Sequence, residues 1–217
     1  MPFYRITVYA QDKGSIDMGR VEQNKQLKLH KLMDSAFHLF TSKGISRTSI
    51  SDIAGQAGLA KGTFYLYFHD KYDLQQKLIA DRASKMIRHA LSCSDFSQYD
   101  DPEDKVIAFI DAILDQFQED KALLRFINKR LSWGVFARAM DQADPGVLGE
   151  FADILPYKMS EKEMEIAVYT IIEMVGAACY DVILEGEPLP YEEYKPYLHR
   201  SIRALLRSFV ENKTSEE

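Results

Sequence analysis

The sequence predicts an all-α chain in which a small basic head of three helices precedes a larger, acidic helical body. Three observations carry that reading. Apolar residues recur at i, i+3, i+4 and i+7 through most of the chain, the period of helices with one buried face. Serine or aspartate followed three residues later by an acid opens several of these segments, and glycine closes them. Charge is also divided. Residues 18–72 hold eight lysines and arginines against four carboxylates, a net +4, whereas residues 73–217 are net −10, within a total of −6. A basic head on an acidic body localises affinity for polyanions to the head.

The bulk composition is that of a globular protein: 46% hydrophobic and 28% charged residues over 217 positions, enough for one or two domains. Cys93 and Cys179 lie far apart and match no metal or disulfide framework, which predicts a reducing, cytoplasmic compartment. No apolar run with a small-residue cleavage site occupies the first 20 residues. The longest apolar stretch, Ala167–Leu184, contains Thr170, Glu173 and Asp181, which favours a helix buried in protein over a membrane span.

Residues 1–17 show no helical period. Phe3, Ile6 and Val8 alternate, but an isolated strand is marginal, and the segment is read as an unassigned extension. The first helix is expected over Gln23–Ser42, with Leu29, Leu32, Met33, Ala36, Phe37 and Phe40 on one face and Gly44 closing it. Ile50, Ile53, Ala54 and Ala57 form the face of a short second helix, capped by Ser49 with Asp52 and ended by Gly58. A third helix follows from Lys61 to Phe68. Phe64 and Phe68 share one face, while Gly62, Thr63 and Leu66 lie opposite, flanked by Lys61, Tyr65 and Tyr67. That outer face has no carboxylate. Phenols, hydroxyls and lysine donate to phosphate oxygens, glycine permits close approach, and leucine meets thymine methyl groups; simple burial of the aromatics is the competing reading. Asp70 and Asp73 open a fourth helix, about Lys71–Ser92, whose N-terminal dipole and Lys71 would favour a phosphate.

At this point the residues resemble a known family. Thr48-Ser-Ile-Ser-Asp-Ile-Ala54, Ala57-Gly-Leu-Ala-Lys-Gly-Thr-Phe-Tyr-Leu-Tyr-Phe68 and Asp70-Lys-Tyr-Asp-Leu74 are similar to the DNA-binding motif of the tetracycline-repressor (TetR/AcrR) family, over roughly Lys25–Leu74. The chain departs from that pattern at Ser51, where the family often has arginine. Met18-Gly-Arg-Val-Glu22 also resembles a family N-terminus, so translation starting at Met18 is an alternative account of residues 1–17. The resemblance implies a helix-turn-helix head (18–72), a ligand-binding and dimerisation body (73–212) and a tail (213–217). It implies a homodimer on a double-stranded DNA operator. Thr48, Ser49, Lys61, Tyr65, Tyr67 and Lys71 would hold phosphates, and Gly62, Thr63, Leu66 and Ser51 would lie near base edges.

The body reads as helix throughout, apart from a broken stretch at Asp141–Lys158. Asp101-Pro102 starts a helix carrying Val106, Phe109, Ile110, Ile113, Leu114 and Phe117. Ser160 and Glu163 cap a long one to Glu185, and the last helix follows Pro196. Two broad apolar helices suit a two-fold four-helix interface, assigned to Met164, Val168, Ile171, Val175, Ala178, Val182, Ile202, Leu205 and Phe209. Phe109, Phe117, Phe126, Trp133, Phe136, Tyr169, Met174 and Tyr180 are candidate pocket walls, or plain core. Their lack of basic residues predicts an apolar, neutral or cationic effector, with Glu173 or Asp181 available to a cation.

Phosphate-loop, dinucleotide, zinc-protease and serine-hydrolase motifs are absent from the sequence, and five scattered histidines lack ligand spacing. The expectation is therefore a non-enzymatic transcriptional regulator, a repressor released by a small molecule, with no cofactor, metal or membrane. A DNA-bound structural or interaction protein, for example a cell-division regulator, is the alternative.

Overall fold

The computed structural model describes residues 19–127, 134, 136–137, 140, 151, 153–155 and 159–211. Among these, regular structure is entirely helical: α1 Arg20–Lys43, α2 Ile50–Gln56, α3 Lys61–Phe64, α4 Lys71–Cys93, α5 Pro102–Glu119, α6 Lys121–Ile127, α7 Glu161–Tyr180 and α8 Tyr191–Glu211. The expectations for residues 1–17 and 213–217, for Trp133 and for most of Asp141–Lys158 lie outside the described residues.

The chain divides into two compact units within α4, between Arg82 and Ala83. The first half of α4 belongs to the head because it is anchored there. Leu74, Leu78 and Ile79 are buried, and Arg82 pairs with Asp34 at 2.9 Å while its guanidinium lies over the Phe37 ring. The rest of the head core comes from Leu32, Met33, Ala36 and Phe40 of α1, Ile53 and Ala54 of α2, and Phe64 and Phe68. α1 packs on α2, and α2 on α3.

Local chemistry sets each joint. Ser49 accepts the Asp52 N–H at 3.1 Å and Asp52 accepts the Ser49 N–H at 2.9 Å, the reciprocal cap its sequence predicts. Lys43 reaches the same Asp52 carboxylate at 2.9 Å, tying the end of α1 to the start of α2. Gly58, at φ +67°, reverses the chain into α3 while the Leu59 N–H returns to the Ala54 carbonyl at 2.9 Å.

The third helix is shorter than predicted. Its α-helical part ends at Phe64, and Tyr65–Phe68 continue as a turn: the Tyr67 and Phe68 N–H groups both donate to the Phe64 carbonyl. The 64/68 pairing survives, with ring centroids 5.4 Å apart, because a tight turn also brings those positions onto one side.

In the body, α5 packs against α6 and α8, and α7 against α8. Glu103 and Asp104 of α5 pair with Arg207 and Arg203 of α8, and Asp111 pairs with Lys195 (3.3 Å) and His199 (2.8 Å). This seam explains why α8 begins at Tyr191 rather than after Pro196. Tyr191 is buried against Asp115, and Lys195 is held by Asp111, which offsets the one helical hydrogen bond that Pro196 forgoes. The long helix also differs at its end: Asp181–Glu185 widens into a π turn with Val182 and Ile183 both buried, and Gly186 closes it.

Candidate nucleic-acid interface and body cavity

The turn and α3 present a convex face whose apolar side is fully committed to the core. Phe64 and Phe68 are buried, so the residues between and opposite them must point outward. Lys61 and Gly62 are exposed, Tyr65 is 53% and Leu66 78% exposed, and Thr63 and Tyr67 are half-buried. A leucine this exposed on a face without acids is the unusual feature. A Cβ built on Gly62 meets no heavy atom within 4 Å, so nothing inside the protein requires glycine there. Ser49 and Ser51 are exposed at the start of α2, beside this face in the motif.

Two expected phosphate ligands are turned inward. Thr48 is 1% exposed and its hydroxyl donates to the Gly44 carbonyl at 2.8 Å. Lys71 donates to the carbonyls of Ile45, Ser46 and Thr48 at 2.8, 3.3 and 3.0 Å, so its ammonium holds the loop before α2. The first turn of α4 is likewise occupied. Asp70 accepts the Tyr72 and Asp73 N–H groups, and Asp73 accepts that of His69. Burial pushes the Asp73 carboxyl up, but the His69 N–H and Lys77 outweigh it and the pKa is lowered overall. The α4 terminus is thus capped by its own carboxylates.

Two further exposed residues near the motif, Arg47 and Tyr72, are not among the contacts the sequence suggests. Arg47 is exposed and Tyr72 is 56% exposed with the Lys71 ammonium over its ring. Arg47 sits in a loop with no periodicity to aim it, although its charge was legible. Tyr72 had no signal beyond its place next to the motif.

Lys61 and Lys71 therefore separate by experiment. Lys61→Ala should lower the dependence of DNA affinity on salt by about one counterion per protomer and leave the melt unchanged. Lys71→Ala should cost about 1–3 kcal/mol of head stability by removing a charged donor from three carbonyls, with the salt slope unchanged. Gel shifts across salt concentrations, beside thermal melts, check both.

The Ser49 N–H and then the Lys43 ammonium hold the Asp52 carboxyl down at about 2. A depressed carboxylate stabilises above its unfolded pKa near 4 and loses that contribution as pH falls towards 2. Asp52→Asn should therefore melt lower than the native chain at pH 7, with the gap closing between pH 4 and 2.

The body holds a partly open cavity of about 110 Å³. Of the residues the sequence suggests as pocket walls, Phe109 and Phe136 line it, while Phe117, Phe126, Tyr169, Glu173, Met174 and Tyr180 do not. Phe117 is sealed in the core, and Tyr169, 47% exposed, lies on the other face of α7. Several residues expected at a subunit interface lie inward in this single chain. Met164, Val168, Ile171 and Val175 face the cavity, and Val182 and Ile202 are buried within this one chain. Ala178, Leu205 and Phe209 remain half-buried. The reason is a rotation that periodicity cannot resolve: α7 is apolar on both sides, and its outer face carries Ile166 (43% exposed) and Tyr169. Glu161–Glu185 is long and apolar enough to cross a membrane by length and composition alone, a test that the core helix of a globular protein also passes. Its cavity-lining face gives that apolarity a place within the protein.

Comparison with known proteins agrees with the head's geometry. Residues 32–78 match the family model described as bacterial regulatory proteins, tetR family. The uncharacterized HTH-type transcriptional regulator YvdT of Bacillus subtilis is 41% identical over 64 residues, 30% of this chain and 31% of that protein. The chain thus spans about a third of the length of such curated relatives. Solved structures extend the likeness to the fold of both units. A TetR transcriptional regulator from Rhodococcus covers 84% of this chain and 97% of its own at 16% identity and a TM-score of 0.61. FadR from Bacillus subtilis in complex with stearoyl-CoA covers 80% and 96% at 16% identity and 0.53.

Proposed function

We propose that this chain, whose residues 32–78 match the model of the tetR family of bacterial regulatory proteins, is a cytoplasmic, homodimeric transcriptional repressor released from a palindromic operator by a small molecule. The observation that carries the reading is the acid-free outer face of α3 and its turn, with Leu66 exposed and open space around Gly62. Lys61, Ser49, Tyr65 and Tyr67 are assigned to phosphates, joined by Arg47 and Tyr72. Gly62, Thr63 and Leu66 are assigned to base edges in a major groove, with Ser51 beside them. The hydroxyl of Thr48 and the ammonium of Lys71 are left out, since both are spent inside the head.

Dimerisation is assigned to the outer face of α7, around Ile166, with the half-buried Leu205 and Phe209 of α8. The body cavity, beside the stearoyl-CoA bound by one structural neighbour, supports an effector-responsive body over a partner-binding one. A ligand that binds the DNA-incompetent form better would release the operator. Mapping genomic sites bound by the native protein, with transcript levels in a deletion strain, tests this. Discrete two-fold-symmetric sites and raised transcription of adjacent genes are expected. Binding without discrete sites would overturn the reading, and lowered transcription would make the protein an activator.

A further inference from the structure

The walls of the body cavity are chemically uniform. Among the described residues, every side chain lining it is apolar, and they come from α4, α5, α7, α8 and the segment between α6 and α7. Glu173 and Asp181, the carboxylates that sequence reasoning offered to a cation, are absent from the wall. Three carboxylates of α5 are matched on α8: Asp111 by Lys195 and His199, Glu103 and Asp104 by Arg207 and Arg203. A charged or hydrogen-bonding group inside would lose its water and find no counterpart among the described wall residues, a cost that apolar contact does not offset. A space of this kind stays dry and admits apolar matter.

Size and wall material narrow the shape. At about 110 Å³ the cavity is smaller than the engineered one of roughly 150 Å³ that accepts benzene. A larger guest must therefore displace side chains. The stiff β-branched walls, such as Val168, Ile171 and Val175, resist this. Met86, Met159 and Met164 do not, because each unbranched thioether swings through three rotatable bonds. A wall that yields only at its methionines suits a slender flexible chain better than a rigid fused ring.

We propose that this cavity holds an uncharged hydrocarbon chain of the effector, with any charged head group left outside it. The proposal rests on the effector reading given above and specifies the ligand class of that site. It drops the cationic option.

The test uses the full-length protein and the neutral fluorescent probe N-phenyl-1-naphthylamine, displaced by a series of straight-chain alcohols from hexanol to hexadecanol. Affinity should rise about fourfold per added CH₂ until the cavity is full, then level off. Val168→Phe, which fills the space, should weaken the alcohols at least tenfold. Ile171→Ala, which enlarges it, should move the plateau to a longer alcohol, and it keeps the test open if the phenylalanine variant does not fold. Affinity independent of chain length, or equal binding by a folded Val168→Phe variant, would each overturn the proposal. A parallel operator gel shift separates the two levels. DNA binding without chain-dependent alcohol binding overturns the ligand class alone. Alcohol binding that leaves the operator complex intact overturns the effector reading itself.

Discussion

Gly62→Val abolishes operator binding and leaves the thermal unfolding of the head where it was. The two halves of this expectation come from different observations. A Cβ at position 62 meets nothing within 4 Å, so the folded chain has room for a branched side chain. The residue is also exposed at the start of α3, next to Lys61 and four residues before Leu66, on the face assigned to the groove. Valine there would hold the turn away from DNA and forfeit the neighbouring contacts as well. With base contacts worth about 1–3 kcal/mol each, losing two gives a fall of about 30-fold or more. Leu66→Asp should match it by setting a carboxylate against the phosphates. Gel shifts and calorimetric melts on the same samples decide the matter. A Gly62→Val protein with the native melt and native operator affinity would remove this face from the interface.

What the sequence reveals about the head follows from the shortness of its interactions. Caps act over three residues and apolar faces over four. Ser49 with Asp52, and Phe64 with Phe68, could therefore be read before any coordinates. Direction is harder. A threonine or lysine beside a DNA-binding motif has the same letter whether it faces a phosphate or a carbonyl. Only the folded loop shows that Thr48 serves Gly44 and that Lys71 serves three carbonyls over a separation of more than 20 residues. The body shows the same limit on a larger scale. Phe109 and Phe136 stood out as aromatics, but they and the methionines and aliphatics around them are indistinguishable from core by type.

Nowhere does this matter more than on α7, which is apolar on two faces. Ile171→Glu should destroy the folded body, whereas Ile166→Glu should leave it folded and split the dimer. Ile171 is buried and lines the cavity, with no cation among the described wall residues to receive a carboxylate. Burying that charge costs several kcal/mol against a total stability of about 5–15 kcal/mol for a typical domain. The result should be insoluble or molten protein rather than a well-folded monomer. Ile166 is 43% exposed on the opposite face, so glutamate there keeps its water in the single chain and loses it only when a second copy covers the surface. Light scattering and circular dichroism on both variants separate the outcomes. A folded, soluble monomer from Ile171→Glu would return that residue to the subunit interface, and a folded dimer carrying Ile166→Glu would remove this face of α7 from it.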